Sequence, residues 1–230
     1  MQVQLKHQPS DTLAICRLNP QESIKVEPGA LVGYSEDITI ETKAQGGLLG
    51  GLKRMIAQEN FFQNMVSAGR EGGEVLLSPV LPGDINIVDI QDQAFYLQSG
   101  TYLASDEGVE FDTRWGGSRG FFGSGSLLLL QVTGRGQVLA SCYGAMEEKV
   151  LANDEVYTID TGHVVGFDAS IKFEVRRVGG WKATFLSGEG LVVRLKGPGR
   201  VLVQTRSEAS FLNWLIPQLP TPPTPPTLSS

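Results

Sequence analysis

Two histidines and two cysteines are the whole stock of imidazole and thiolate metal ligands in this chain of 230 residues. A histidine-based catalytic metal site takes two or three histidines and a carboxylate from facing strands, and no HxH or HxxxE cluster surrounds His7 or His163. His7 reads as a solvated residue of an N-terminal turn. His163 follows a recurring glycine at a place that Ala30 and Thr101 fill elsewhere, and reads as scaffold. Cys16 and Cys142 are far apart and in no CxxC spacing, as expected of free thiols in a reducing compartment. A serine nucleophile needs a base within hydrogen-bond reach, and so few histidines leave a hydrolase triad little to stand on. The glycines at 123–125 and the GxG pairs lack the Lys and Ser/Thr of a phosphate loop. Asp106-Glu107 and Glu147-Glu148 are adjacent carboxylates of turns and exposed segments rather than an acid/base pair. No catalytic residue, metal site or cofactor is therefore predicted. A small-molecule or metal-assisted enzyme in a cupin-like barrel stays the alternative class.

The elements that would position any site carry more information. Residues 188–205, GEGLVVRLKGPGRVLVQT, match residues 125–142, GSLLLLQVTGRGQVLASC, without a gap: Gly197 falls on Gly134, Gly199 on Gly136 and Val201 on Val138. A passage around Pro82-Gly83 reads as a looser copy, with Gly83 on Gly136 and Ile85 on Val138. A second pattern occurs three times. Gly29, Gly100 and Gly162 are each followed by an apolar residue (Val32, Leu103, Val165) and a small one (Gly33, Ala104, Gly166). Apolar pairs come next, Ile38 with Ile40, Val109 with Phe111 and Ile171 with Phe173, separated by Thr39, Glu110 and Lys172. Period-two alternation puts one face on a core and the other in water. The chain thus reads as all-β and internally repeated, each unit stacking on its neighbours to bury its apolar face. Strands are also expected over 2–5 and 13–18, and a hairpin turn at Gly179-Gly180.

One compact β domain is expected over 1–216, with a short helix near its end for which Ser207 is the N-cap. Residues 217–230, PQLPTPPTPPTLSS, read as a disordered or polyproline-II tail, because proline removes the backbone donor and fixes φ. The net charge is -6 and the basic residues are scattered, which argues against nucleic acid as a partner. The N-terminus has neither a basic nor an apolar leader region, and no apolar run approaches the ~18 residues of a membrane span. A cytoplasmic location is expected.

The longest interruption of the β pattern, residues 48–62, sets Leu48, Leu49, Leu52, Met55 and Ile56 beside Lys53 and Arg54 and ends in Phe61-Phe62. Good helix formers from Leu52 predict about two helical turns there. Insertions on a rigid scaffold often carry function. Leu49, Leu52, Arg54, Phe61 and Phe62 are the candidate contact residues, for a cap or subunit interface on one reading and for a ligand or membrane surface on the other.

The segments EPGALVGYSEDITIET, GGLLGGLKRM with ENFF, SGTYLASDEGVEF, TGHVVGFDASIKFEV and GEGLVVRLKGPGRVLVQTR resemble the altered-inheritance-of-mitochondria protein 24 family, in order and as far as Arg206. The resemblance implies a duplicated β unit similar to that of the trp RNA-binding attenuation protein, a short double-stranded β-helix, and a symmetric homo-oligomer, a trimer. It implies no catalytic residues and no enzyme. The mitochondrial branch is associated with inner-membrane organisation, and the lack of a transit-like presequence places this chain with the bacterial branch. Similarity to an RNA-binding ring concerns fold and does not transmit function. The expectation is a soluble, non-enzymatic oligomeric scaffold or binding protein, with peripheral membrane attachment as a further alternative.

Overall fold

The computed structural model describes residues 1–44, 62–116, 127–177 and 191–220. Alternating sequence becomes alternating burial in the short strands. In β1 (Gln2–Lys6) the even-numbered side chains face solvent, followed by β2 (Leu13–Leu18). In β3 (Ser23–Val26), Ile24 and Val26 are buried while Ser23 and Lys25 are only partly covered. The chain continues through β4 (Leu31–Tyr34), β5 (Ile38–Ala44), β6 (Phe62–Ala68) and β7 (Gly73–Leu77). Next come β8 (Ile85–Gln91), β9 (Phe95–Gln98), β10 (Tyr102–Asp106), β11 (Val109–Gly116) and the long β12 (Leu127–Ser141). The last strands are β13 (Met146–Leu151), β14 (Val156–Asp160), β15 (Val164–Asp168), β16 (Lys172–Arg177), β17 (Leu191–Lys196) and β18 (Gly199–Gln204). A single helix, α1 (Glu208–Leu215), follows among the described residues, with Ser207 as its N-cap accepting from the Ser210 N–H. The all-β expectation is met.

All named strand pairs are antiparallel, and one arrangement of them occurs at three places. β7, the second half of β12 and β18 are each flanked by two strands: β2 and β4, β8 and β10, β13 and β15. The second flanking strand carries a register skip each time, at Leu31/Gly33, Tyr102/Ala104 and Val164/Gly166. Likewise β6 lies between β3 and β5, the first half of β12 between β9 and β11, and β17 between β14 and β16. Two junctions tie these groups together. β10 pairs with β3 (Ala104 opposite Val26, Ser105 opposite Lys25, Asp106 opposite Ile24), and β15 pairs with β9 (Gly166 opposite Leu97, Phe167 opposite Tyr96, Asp168 opposite Phe95).

β12 passes from one set of partners to the other through Gly134 and Gly136, both at positive φ (89° and 139°). A Cβ on Gly136 would come within 2.7 Å of the Asp106 Cβ, so backbone conformation and close approach both require glycine there. Gly199 stands at the matching start of β18, at φ 149° and beside Asp168. The third glycine of this set is Gly73, which opens β7 beside Ser35. It is not Gly83, the sequence-based choice. Gly83 instead makes an isolated parallel bridge with Gly144, and Ile85 opens β8 opposite Ser141.

Three apolar cores correspond to the three groups. Ala14, Cys16, Leu18, Ile24, Val26, Val75 and Leu77 form the first, joined by Leu103, Ala104 and Leu139 from across the β10–β3 junction. Val88, Ile90, Phe95, Leu97, Tyr102, Val132 and Val138 form the second, joined by Val165 and Leu202. The third holds Ile159, Phe167, Ile171, Val193, Leu195 and Val201, with Leu127 and Leu129. Each junction therefore buries side chains from both groups it unites, and such burial stabilises by roughly 25 cal/mol for every Å² of apolar surface removed from water.

Candidate functional site

The residues that the sequence singles out fall on the connection between β5 and β6. Leu49, Leu52, Arg54 and Phe61 lie outside the described residues. Phe62 opens β6, and its backbone pairs with Ala44, so the chain leaves and re-enters the sheet at neighbouring positions. Two further stretches occupy matching places: Gly116 pairs with Leu127 across residues 117–126, and Arg177 with Leu191 across 178–190. The turn expected at Gly179-Gly180 and the helix expected from Leu52 also lie outside the described residues. One spelling escaped the sequence reading. Residues 116–120, GGSRG, have the GxSxG spelling of a nucleophile elbow; Gly116 ends β11, and the rest of the motif lies outside the described residues.

The chemistry-bearing side chains of the described residues serve the frame. His163 Nδ1 lies 2.8 Å from the Gln204 carbonyl oxygen, while the Gln204 side chain accepts from Tyr143 N–H (2.9 Å) and donates to the Gly162 carbonyl (2.8 Å). His7 sits exposed at φ 62° in the turn after β1. Cys16 and Cys142 are free and buried, and burial pushes their thiols up to about 12 and about 11, far from reactive thiolates. Buried Asp84 accepts from Thr12 Oγ1 (2.8 Å), Gln8 Nε2 (3.1 Å) and the Ile85 N–H (2.8 Å). No group of three metal-ligating side chains occurs among the described residues. A shallow hollow of about 500 Å³ is lined by Asp89, Asp92, Arg135 and Gln137, whose polar groups answer one another: Arg135 Nε donates to Asp92 (2.8 Å) and Gln137 Nε2 to Asp89 (3.3 Å).

A polar latch recurs at the end of each strand that carries a register skip. Asp106 Oδ2 accepts from the Gln137 N–H (2.7 Å) and Asp168 Oδ2 from the Arg200 N–H (2.7 Å). In the first group Ser35 Oγ takes this role for the Glu74 N–H (2.9 Å). A carboxylate holding a backbone N–H makes a charge-assisted bond, stronger than its neutral counterpart. The latches fix the turns that lead out of β4, β10 and β15.

What differs among the three groups is exposure. β10 and β15 are buried along their first four residues, whereas in β4 Val32 is 59% and Tyr34 54% exposed. Their counterparts Leu103, Ser105, Val165 and Phe167 are at most 1% exposed. On β14, Val156 and Tyr157 are 40% and 42% exposed, while Ile24 and Phe95, which match Tyr157 in β3 and β9, are at most 3%. α1 adds Leu212 and Trp214, and Phe211 packs edge-on against Tyr143 at 6.0 Å.

Fold and surface together define an all-β protein of three linked antiparallel groups, with exposed apolar side chains on the edge strands β4 and β14 and on the terminal helix, besides Ile40, Val80 and Val150 elsewhere. The chain belongs to the family described as mitochondrial biogenesis AIM24, whose model matches residues 3–206. It is 26% identical over 208 residues to an uncharacterized protein of Streptococcus pyogenes serotype M6, covering 86% of this chain and 83% of that protein. The crystal structure of protein SPYM3_0169 from Streptococcus pyogenes shares the fold, with a TM-score of 0.81 and 24% identity over 95% of this chain and 99% of that one. No helix of the described residues is long and apolar enough to cross a membrane.

Proposed function

We propose that this protein is a non-enzymatic scaffold that works as a closed homo-oligomer, a trimer, in the cytoplasm. The repeated unit and the double-stranded β-helix expected from the sequence belong to this reading. The observation that carries it is the exposure of apolar residues on two edge strands, Val32 and Tyr34 on β4 and Val156 and Tyr157 on β14, where the counterparts of Val32, Tyr34 and Tyr157 in the other groups are buried. Apolar side chains left exposed on the edge strands of two sheets are characteristic of faces that other protein subunits cover. Leu49, Leu52, Arg54, Phe61 and Phe62 are assigned to contact with a neighbouring copy or a protein partner. The small-molecule or metal-binding enzyme and the peripheral membrane organiser are the alternatives that this reading displaces. Light scattering across a dilution series tests it: the account expects one species at three times the 24.8 kDa chain mass, and a monomer would overturn it.

A further inference from the structure

The two exposed edges are the two halves of a junction that the chain already makes twice. At the first junction β10 runs antiparallel to β3, and at the second β15 runs antiparallel to β9. The strand matching β10 and β15 in the remaining group is β4, and the strand matching β3 and β9 is β14. Matching residues follow from the registers. Ala104, Gly166 and Gly33 each follow the skip, so Tyr34 corresponds to Ser105 and Phe167. Val26, Leu97 and Ile159 lie opposite Asn64, Leu130 and Val193, so Thr158 corresponds to Lys25 and Tyr96. Yet β4 pairs only with β7, and β14 only with β17, among the described residues.

We infer that β4 of one copy pairs antiparallel with β14 of a second copy of this chain, with Gly33 opposite Ile159, Tyr34 opposite Thr158 and Ser35 opposite Tyr157. The inference rests on the oligomeric reading above and names the surfaces that build it. The edges are complementary in side chains as well as in register. At the second junction a Cβ on Gly166 would lie 2.5 Å from the Phe95 ring, so the position after the skip must stay small for the aromatic residue of the partner strand to seat. Gly33 keeps that position small, with only Leu76 near its missing Cβ, at 3.9 Å. Tyr157 supplies the aromatic residue in the place of Phe95. Val32 and Tyr34, exposed now, then acquire the burial that Leu103, Val165 and Phe167 already have.

The occupant is a second copy, because each edge finds its complement at the opposite end of the same chain. β4 presents what β10 and β15 present, and β14 presents what β3 and β9 present. Such a contact is head-to-tail: it consumes one edge of each kind per copy and leaves none over only when the ring closes. Ring closure also removes the hazard of two long-lived free edges, which otherwise template aggregation.

Paired cysteines test the contact directly. Tyr34→Cys and Thr158→Cys are made singly and together in the full chain, oxidised with diamide and run without reductant. The expected result is a ladder of covalent multimers from the double variant and none from either single variant. A covalent dimer from one single variant alone means an edge pairing with itself, and overturns the head-to-tail contact; so does the absence of multimers from the double variant. Val32→Lys gives a second readout by placing a charge on the edge while touching none of the cores. It is expected to yield monomers with the strand signal of the wild type in circular dichroism. If Val32→Lys keeps the wild-type oligomer mass, the edge assignment fails and the oligomeric reading stands; if the wild type itself is a monomer, both fail.

Discussion

Glu27 is the carboxylate whose surroundings most perturb its chemistry. Burial first, and the nearby Glu208 charge second, raise its carboxyl from the ordinary 4.5 to about 7. A carboxyl raised on folding leaves the native state holding more protons than the unfolded chain, so stability falls as pH rises from about 4.5 to about 7. Glu27→Gln removes that cost. The variant is expected to exceed the wild type by on the order of 2 kcal/mol at pH 8 and to match it at pH 4, read from urea unfolding at both values. Equal stabilities at pH 8 would contradict the assigned burial. Gly136 is the second residue with a definite forecast. Gly136→Ala forces a side chain onto a φ of 139° and into Asp106, and should lower stability by roughly 1–3 kcal/mol in the same assay. A neutral result would mean that β12 can relocate its bend.

At the scale of elements, the latches decide how strands change partners. Asp168→Ala leaves the Arg200 N–H without its 2.7 Å acceptor and removes one of the two carboxylates beside the Arg200 guanidinium, so unfolding by urea should show a loss of about 1–3 kcal/mol. Asp168→Asn retains an acceptor oxygen and should lose less. Were the two variants equal, the charge would be what the latch supplies and the backbone bond would be incidental. Elements also show what the sequence could and could not convey. Short strands with one wet face, β3 and β16 among them, announce themselves by alternation, and Ser207 announces α1 by its capping chemistry. β10 and β15 carry no alternation, because neighbours cover both of their faces. Gly73 escaped notice for a simpler reason: residues 69–72 separate β6 from β7, whereas Arg135 alone lies between Gly134 and Gly136, and the longer turn breaks the spacing that linked the other copies.

On the scale of the whole molecule, the same strand chemistry is buried twice and exposed once. No reading of β4 by itself could reveal this, since LVGY is as apolar as the VVGF of β15; only the position of β4 at the end of a series leaves it uncovered. The candidate contact residues were legible as an interruption of the β pattern, and the structure adds that they span two paired strand ends. The edges themselves were legible only as strands. Family membership agrees with the fold. Native mass spectrometry of the untagged chain tests the central claim most directly, because one spectrum counts subunits and weighs anything retained. The account predicts a single closed oligomer, a trimer of the 24.8 kDa chain with no added mass. A monomer, or an assembly carrying a stoichiometric extra mass, would contradict it and return attention to a bound ligand.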